Sequence, residues 1–201
     1  MRLVKKEYAV FDFQELGEEA RQKAIDTHRS FLQEVIDLDC ETGEFKRLLE
    51  MYGYSDIKIY YSGFWSQGDG ASFTGRYRYK AGGLKAVKAE FTGTWFKDVI
   101  EYLDLLDGIN KKCFYSLLYR IDSNSRYCHS NTMQVNSLED YRDGYRDLSK
   151  YEDDITEYVR GIADEFYYLL EKSYTSQFTD EAVIESLECN EYEFYENGDM
   201  A

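Results

Sequence analysis

Two short runs hold most of the polar groups that could do chemistry. S-Q-G-D-G at 66–70 offers Ser66, Gln67 and Asp69, and C-H-S-N at 128–131 offers His129 and Asn131. A carboxylate brought beside an imidazole could bind a small ligand or assist a hydrolysis. The spacing excludes the better-known alternatives. The first run lacks the G-K-[ST] ending of a phosphate-binding loop, and strand-like alternation resumes after it, where a dinucleotide fingerprint would open a helix. Cys128 and His129 are neighbours in a segment read as a strand, so they point to opposite faces and cannot form a nucleophile–base pair. The chain has two histidines, and no two of its four cysteines are closer than 15 residues. No metal centre, zinc ribbon or cofactor is expected from that pattern. The blander reading of S-Q-G-D-G is a glycine-shaped hairpin turn, with Phe64, Trp65 and Phe73 anchoring it to the core.

The second feature is charge. The chain carries a net −15. Residues 1–90 hold 14 basic and 15 acidic groups, residues 91–137 hold 5 of each, and residues 138–201 hold 5 basic and 19 acidic. From Thr179 to Ala201 there are eight acids and no base. Such a block repels nucleic acids and anionic membranes and attracts basic surfaces. Asp143 and Asp147 lie just before a strongly periodic helical stretch, Asp153, Asp154, Glu157 and Asp164 fall on it, and Glu185 and Glu188 fall on a later one. Helical carboxylates three or four residues apart lie about 5–6 Å apart at Cβ, on the scale of the phosphate spacing along a nucleic-acid strand. These eight acids are the candidate partner-binding surface. The opposing reading is a solvated, solubilising face.

The elements that must position these groups follow from periodicity. Residues 2–11 read as a strand. Leu16, Ala20, Ala24, His28, Phe31 and Val35 mark a helix entered at Gly17. Phe45, Leu48, Leu49 and Tyr52 mark a second, capped by Thr42 and ended by Gly53. Residues 57–64 and 71–80 alternate as a hairpin, with Phe73, Tyr77 and Tyr79 on one face and Lys58, Arg76, Arg78 and Lys80 presenting a basic one. A helix follows at 94–107, ended by Gly108. Residues 112–121 and 126–136 read as a second hairpin turning at D-S-N-S. A long helix spans 148–173, with Leu148, Tyr151, Ile155, Tyr158, Ile162, Phe166 and Leu169 inward. A short helix at 180–188 precedes an acidic edge strand at 191–196. The expected fold is α+β, an antiparallel sheet of two or more hairpins with helices packed on one side. The length fits a single domain, 1–201, with an acidic C-terminal third at 138–201.

Aromatics are 17% of the residues, which marks a packed core and excludes a disordered acidic tail. No signal-like stretch opens the chain and no 18-residue apolar run occurs, so a reduced, soluble, cytoplasmic protein without membrane association is expected.

Y-Y-S-G-F-W-S-Q-G-D-G-A-S-F (60–73), R-Y-C-H-S-N-T-M (126–133) and D-E-A-V-I-E-S-L-E-C-N-E-Y-E-F-Y-E-N-G (180–198) together resemble a family of small acidic bacteriophage proteins. F-D-F-Q-E-L-G-E-E-A-R-Q-K-A (11–24) also looks like that family's start, with Gly17 where a Ser is expected. Some members are labelled antitoxin-like. The resemblance implies a phage protein acting in the cytoplasm of a bacterial host, and it carries no catalytic residues. Joined to the charge, it gives a non-enzymatic inhibitor. The expected partner is a host nucleic-acid-handling or defence protein, of restriction or CRISPR type, whose basic groove would grip an acidic DNA mimic. An antitoxin or regulatory binding partner is the second expectation. A ligand-binding or hydrolytic protein centred on Asp69 and His129 is the third. No direct nucleic-acid contact is expected. A dimer is compatible with the sequence, which leaves the oligomeric state open.

Overall fold

The computed structural model describes residues 7–123, 126–138 and 149–201. In chain order the elements are β1 (Phe11–Asp12), α1 (Glu18–Val35), α2 (Asp39–Tyr52), β2 (Tyr54–Tyr61), β3 (Ala71–Arg78), α3 (Gly83–Phe91), α4 (Lys97–Lys112), β4 (Leu118–Ser123), β5 (Met133–Ser137), α5 (Ser149–Ser176), α6 (Asp180–Cys189) and β6 (Glu193–Phe194). The fold is α+β, with helices and two antiparallel sheets. The chain divides into two compact units, one of residues 38–171 and one of residues 1–37 with 172–201.

The larger unit is built on a four-stranded sheet in the order β2-β3-β4-β5. Each neighbouring pair is antiparallel, with Tyr77 opposite both Tyr54 and Tyr119. Period-two alternation buries Phe73 and Tyr77 on β3 and leaves Arg76 and Arg78 in water. Helices α2, α4 and α5 supply Phe45, Leu48, Leu103, Ile162 and Phe166 to the same core. The rings of Phe45 and Phe166 stack with centroids 3.9 Å apart.

A tyrosine-rich core needs partners for its hydroxyls. The Tyr54 and Tyr119 hydroxyls meet at 2.7 Å, the Tyr52 hydroxyl donates to the Leu103 carbonyl, and the Asn110 amide donates to the Tyr77 hydroxyl at 2.8 Å. Burial pushes all four hydroxyls upward, that of Tyr77 to about 12, so they stay neutral donors and acceptors.

The smaller unit pairs β1 with β6, Phe11 opposite Phe194. Phe13, Leu16, Ala24 and Ile25 pack against Val183, Leu187 and Phe194. α6 starts at Thr179, whose hydroxyl accepts the Ala182 amide at 3.2 Å. His28 is 2% exposed, with Nε2 3.0 Å from Ser186 Oγ and its ring beside Tyr192.

Several boundaries differ from the sequence reading. α2 opens after Leu38, because Asp39 and Glu41 suit its first turn and Thr42 bonds back to the Asp39 carbonyl. α3 has no counterpart in the reading, and α4 runs through Gly108 to Lys112. The second hairpin closes at Ser123 opposite Met133, so residues 126–132 form an irregular connection with a 3-10 turn at Ser130–Thr132, and no strand. The strand expected at 2–11 is confined, among the described residues, to Phe11–Asp12.

Candidate functional site

The two polar runs meet. A Cβ placed on Gly70 would lie 3.1 Å from the His129 Cα and 3.2 Å from the Cys128 carbonyl oxygen, so only glycine fits without displacing the second run. Tyr127 lies against Gly68. Within the first run, Asp69 Oδ2 accepts both the Trp65 amide (2.9 Å) and the Ser66 amide (2.6 Å). An Asp that caps its own loop in this way fixes the backbone and spends one carboxylate oxygen inside it. In the second run, His129 Nδ1 accepts the Asn131 amide at 3.1 Å, which leaves the proton of the neutral ring on Nε2. Thr132 Oγ1 closes the same turn on the His129 carbonyl at 2.7 Å and meets Ser123 Oγ at 2.8 Å.

One helix holds both runs. On α5 the Arg160 guanidinium donates to the carbonyls of Asn131 (3.1 Å) and Met133 (2.8 Å). Seven residues on, and so on the same face, the Tyr167 hydroxyl donates to the Gly63 carbonyl at 2.9 Å. The Tyr167 ring stacks on Phe64 at 5.5 Å. Burial first, then the charge of Asp69, pushes the Tyr167 hydroxyl upward, keeping it a donor.

The opposite flank of α5 meets α4. The Tyr102 ring packs against Gly161, where a Cβ would sit 2.3 Å from it. Acids gather around that contact. Burial raises the Tyr102 hydroxyl, and Glu165, Asp164 and Glu157 raise it further. The Glu165 carboxyl is raised above the ordinary range by burial, then by Asp98, Asp164 and Glu101. Of these acids Glu101 has Lys97 at 3.7 Å. Among the described residues no cation pairs with Asp98, Asp153, Asp154, Glu157, Asp164 or Glu165.

The sequence-derived candidates divide accordingly. Ser66 and Gln67 are exposed at the loop tip, Asp69 and His129 are half-buried and hold turns, and Asn131 is exposed. His129 and Asn131 do not share a strand face, because their segment is not a strand. Trp65 does not anchor the loop: it is 77% exposed, and Phe64 on Tyr167 takes that part. Asp153, Asp154, Glu157 and Asp164 are exposed on α5. Glu185 and Glu188 are exposed on α6, in the other unit. Asp143, Asp147 and the inward Leu148 lie outside the described residues. The inward side of α5 is Ile155, Val159, Ile162, Ala163, Phe166 and Leu170, with Tyr151, Tyr158 and Leu169 only half-buried.

Arg160, Tyr167, Tyr102, Asp98, Glu101 and Glu165 were missed, though the seven-residue spacing of Arg160 and Tyr167 marks a second polar face on α5. Among the described residues no group of three or more His, Cys, Asp or Glu side chains is arranged to hold a metal, and no helix is long and apolar enough to cross a membrane.

A family model described as a domain of unknown function (DUF8835) matches residues 38–180. No curated protein and no solved structure matches the chain. The match begins at Leu38, the first residue of the larger unit, and so takes in the loop pair, α4 and the acidic face of α5.

Proposed function

The chain belongs to the DUF8835 family, and from that premise we propose that it is a protein-binding module whose acidic α4–α5 face occupies a basic groove of a nucleic-acid-handling partner. The carrying observation is the set of carboxylates around Tyr102 that no described cation neutralises. Crowded like charges destabilise a fold slightly unless something else uses them. A basic groove would relieve that repulsion on binding. It would also favour the complex at low salt, because a groove shaped for phosphates meets a row of anions. The resemblance of the 60–73 and 126–133 segments to small acidic phage proteins supports a host restriction- or CRISPR-type complex as that partner. The engagement of Asp69 and His129 in their own turns weighs against a catalytic reading of the loop pair.

The test is capture of partners from a bacterial lysate by the wild type and by a triple variant, Asp153→Asn with Glu157→Gln and Asp164→Asn. A basic, nucleic-acid-binding protein is expected on the wild type alone, released by salt and by duplex DNA. A partner that the triple variant retains fully, or that DNA does not displace, would refute the reading.

A further inference from the structure

We infer that the tip of the 62–70 loop and the outer face of α5 together dock an arginine-rich segment of a protein partner. This rests on the acidic-face reading above and makes it more specific. Trp65 is the observation that starts it. A tryptophan ring is the largest apolar group the chain has to bury, yet this one is 77% exposed. Its loop is not slack. Asp69 holds the Trp65 and Ser66 amides, Tyr167 holds the Gly63 carbonyl, and Phe64 is stacked beneath. The backbone that carries the ring is therefore already ordered, and a partner meeting it loses little further conformational entropy on binding. Two other rings are presented nearby in the chain of contacts. Tyr127, beside Gly68, is 67% exposed, and Tyr168, next to the Tyr167 that clamps the loop, is 57% exposed. Tyr168 stands one helical turn after Asp164, on the face that carries Asp153 and Glu157.

Exposed aromatic faces and unneutralised carboxylates on one helix and its clamped loop select among partners. A nucleic acid or an anionic membrane would stack on the rings but be repelled by the acids. An apolar partner would use the rings and strand the carboxylates. A lysine ammonium suits the acids, but it is compact and strongly hydrated. The guanidinium group suits both: it stacks flat on aromatic faces, binds carboxylates through two parallel N–H donors and is weakly hydrated. The charge complementarity therefore points to arginine, in a segment with several of them.

Nona-arginine and nona-lysine serve as probes, titrated into the full chain at about 50 mM salt, where surface charges are weakly screened. Binding is read from the anisotropy of dye-labelled peptide, a readout that the Trp65→Ala variant shares with the wild type. Nona-arginine is expected to bind about tenfold more tightly than nona-lysine, the size of one good cation–π contact. Trp65→Ala should remove that preference and leave nona-lysine binding unchanged. The triple variant Asp153→Asn, Glu157→Gln, Asp164→Asn should weaken both peptides. Equal binding of the two peptides, indifferent to Trp65→Ala but lost in the triple variant, would overturn this inference and leave the acidic-face reading intact. Binding of neither peptide would overturn both.

Discussion

Asp180 and Asp199 each face a cation from α1, while Asp153, Glu157 and Asp164 on α5 face none among the described residues. Arg29 holds Asp180, and Lys23 lies 2.7 Å from Asp199. The carboxyl of Asp199 is held below its ordinary value, first by the hydrogen bond from Lys23 and then by that from Asn197. Glu165 shows the opposite sign: burial and the neighbouring acids push its carboxyl up. The two groups come from one acid-rich third of the sequence, yet one set is partnered within its own unit and the other is crowded against its own kind. A net charge per segment cannot distinguish these cases. The ion pairs can, and at Asp199 and Glu165 the direction of the pKa shift agrees with them. Unpaired charge is present in both units, since Glu181, Glu185, Glu191, Glu193 and Glu196 also pair with no cation among the described residues; what sets the larger unit apart is the burial of Glu165 among other acids.

The largest effect should come from testing whether the two units are separate at all. Phe166 is buried against Phe45 in the larger unit. Phe166→Ala should cost about 3–5 kcal/mol through lost contact and cavity. Amide exchange in α2 and α4 should then accelerate roughly a hundredfold or more. Protection in α1 and α6 should persist. Equal loss in both would make the chain one cooperative body and dissolve the comparison.

Much of this was legible from periodicity. The stripe of α2 and the alternation of β2 and β3 each follow from the burial of one face, which is a local property. On α1 only Ala24 and His28 of the stripe are buried, while Phe31 and Val35 are exposed and Ile25 is buried in their place. What was not legible depends on distant partners. Tyr167 reaches Gly63 across 104 positions. The pairing of Arg29 with Asp180 spans 151. Neither leaves a mark on neighbouring residues. The run Y-C-H-S-N-T misled for a local reason. It alternates like a strand, but His129 and Thr132 carry side chains that bond to nearby backbone and offer it another way to be satisfied. The acids on α5 were visible in the sequence, and their division from those of α6 was not.

A moderate effect separates a turn from a site at Asp69. Both loop amides converge on one oxygen. Asp69→Ala removes the acceptor and should cost about 1–2 kcal/mol, the worth of hydrogen bonds to a charged group in a partly exposed loop. Asp69→Asn can present an amide oxygen to the same two donors, and its cost should stay near 0.5 kcal/mol. Urea denaturation gives the energies, and the anisotropy of Trp65 reports the looseness of the loop. If Asn proves as damaging as Ala, the negative charge itself is in use, and the polar-centre reading of the loop pair returns.

The smallest expected signal is a pH dependence confined to the smaller unit. Burial lowers the pKa of His28 from its ordinary 6.5. The unfolded chain therefore takes up this proton at a higher pH than the folded unit does. Stability is full above about 6.5 and declines as the pH falls from there toward the folded value, because protons then favour the unfolded state. Nε2 against Ser186 Oγ and the ring against Tyr192 suit a neutral imidazole, and a charged one would lose solvation without gaining an anion. The protection factors of the α1 and α6 amides, corrected for the base-catalysed intrinsic rate, should thus fall between pH 7.5 and 5.5, and His28→Gln should flatten that slope whatever it does to absolute stability. The chain's other histidine, His129, lies in the larger unit, so the location of the change assigns it. A slope at α2 and α4 with none at α1 and α6 would move the pH-sensitive group to the other side of the comparison.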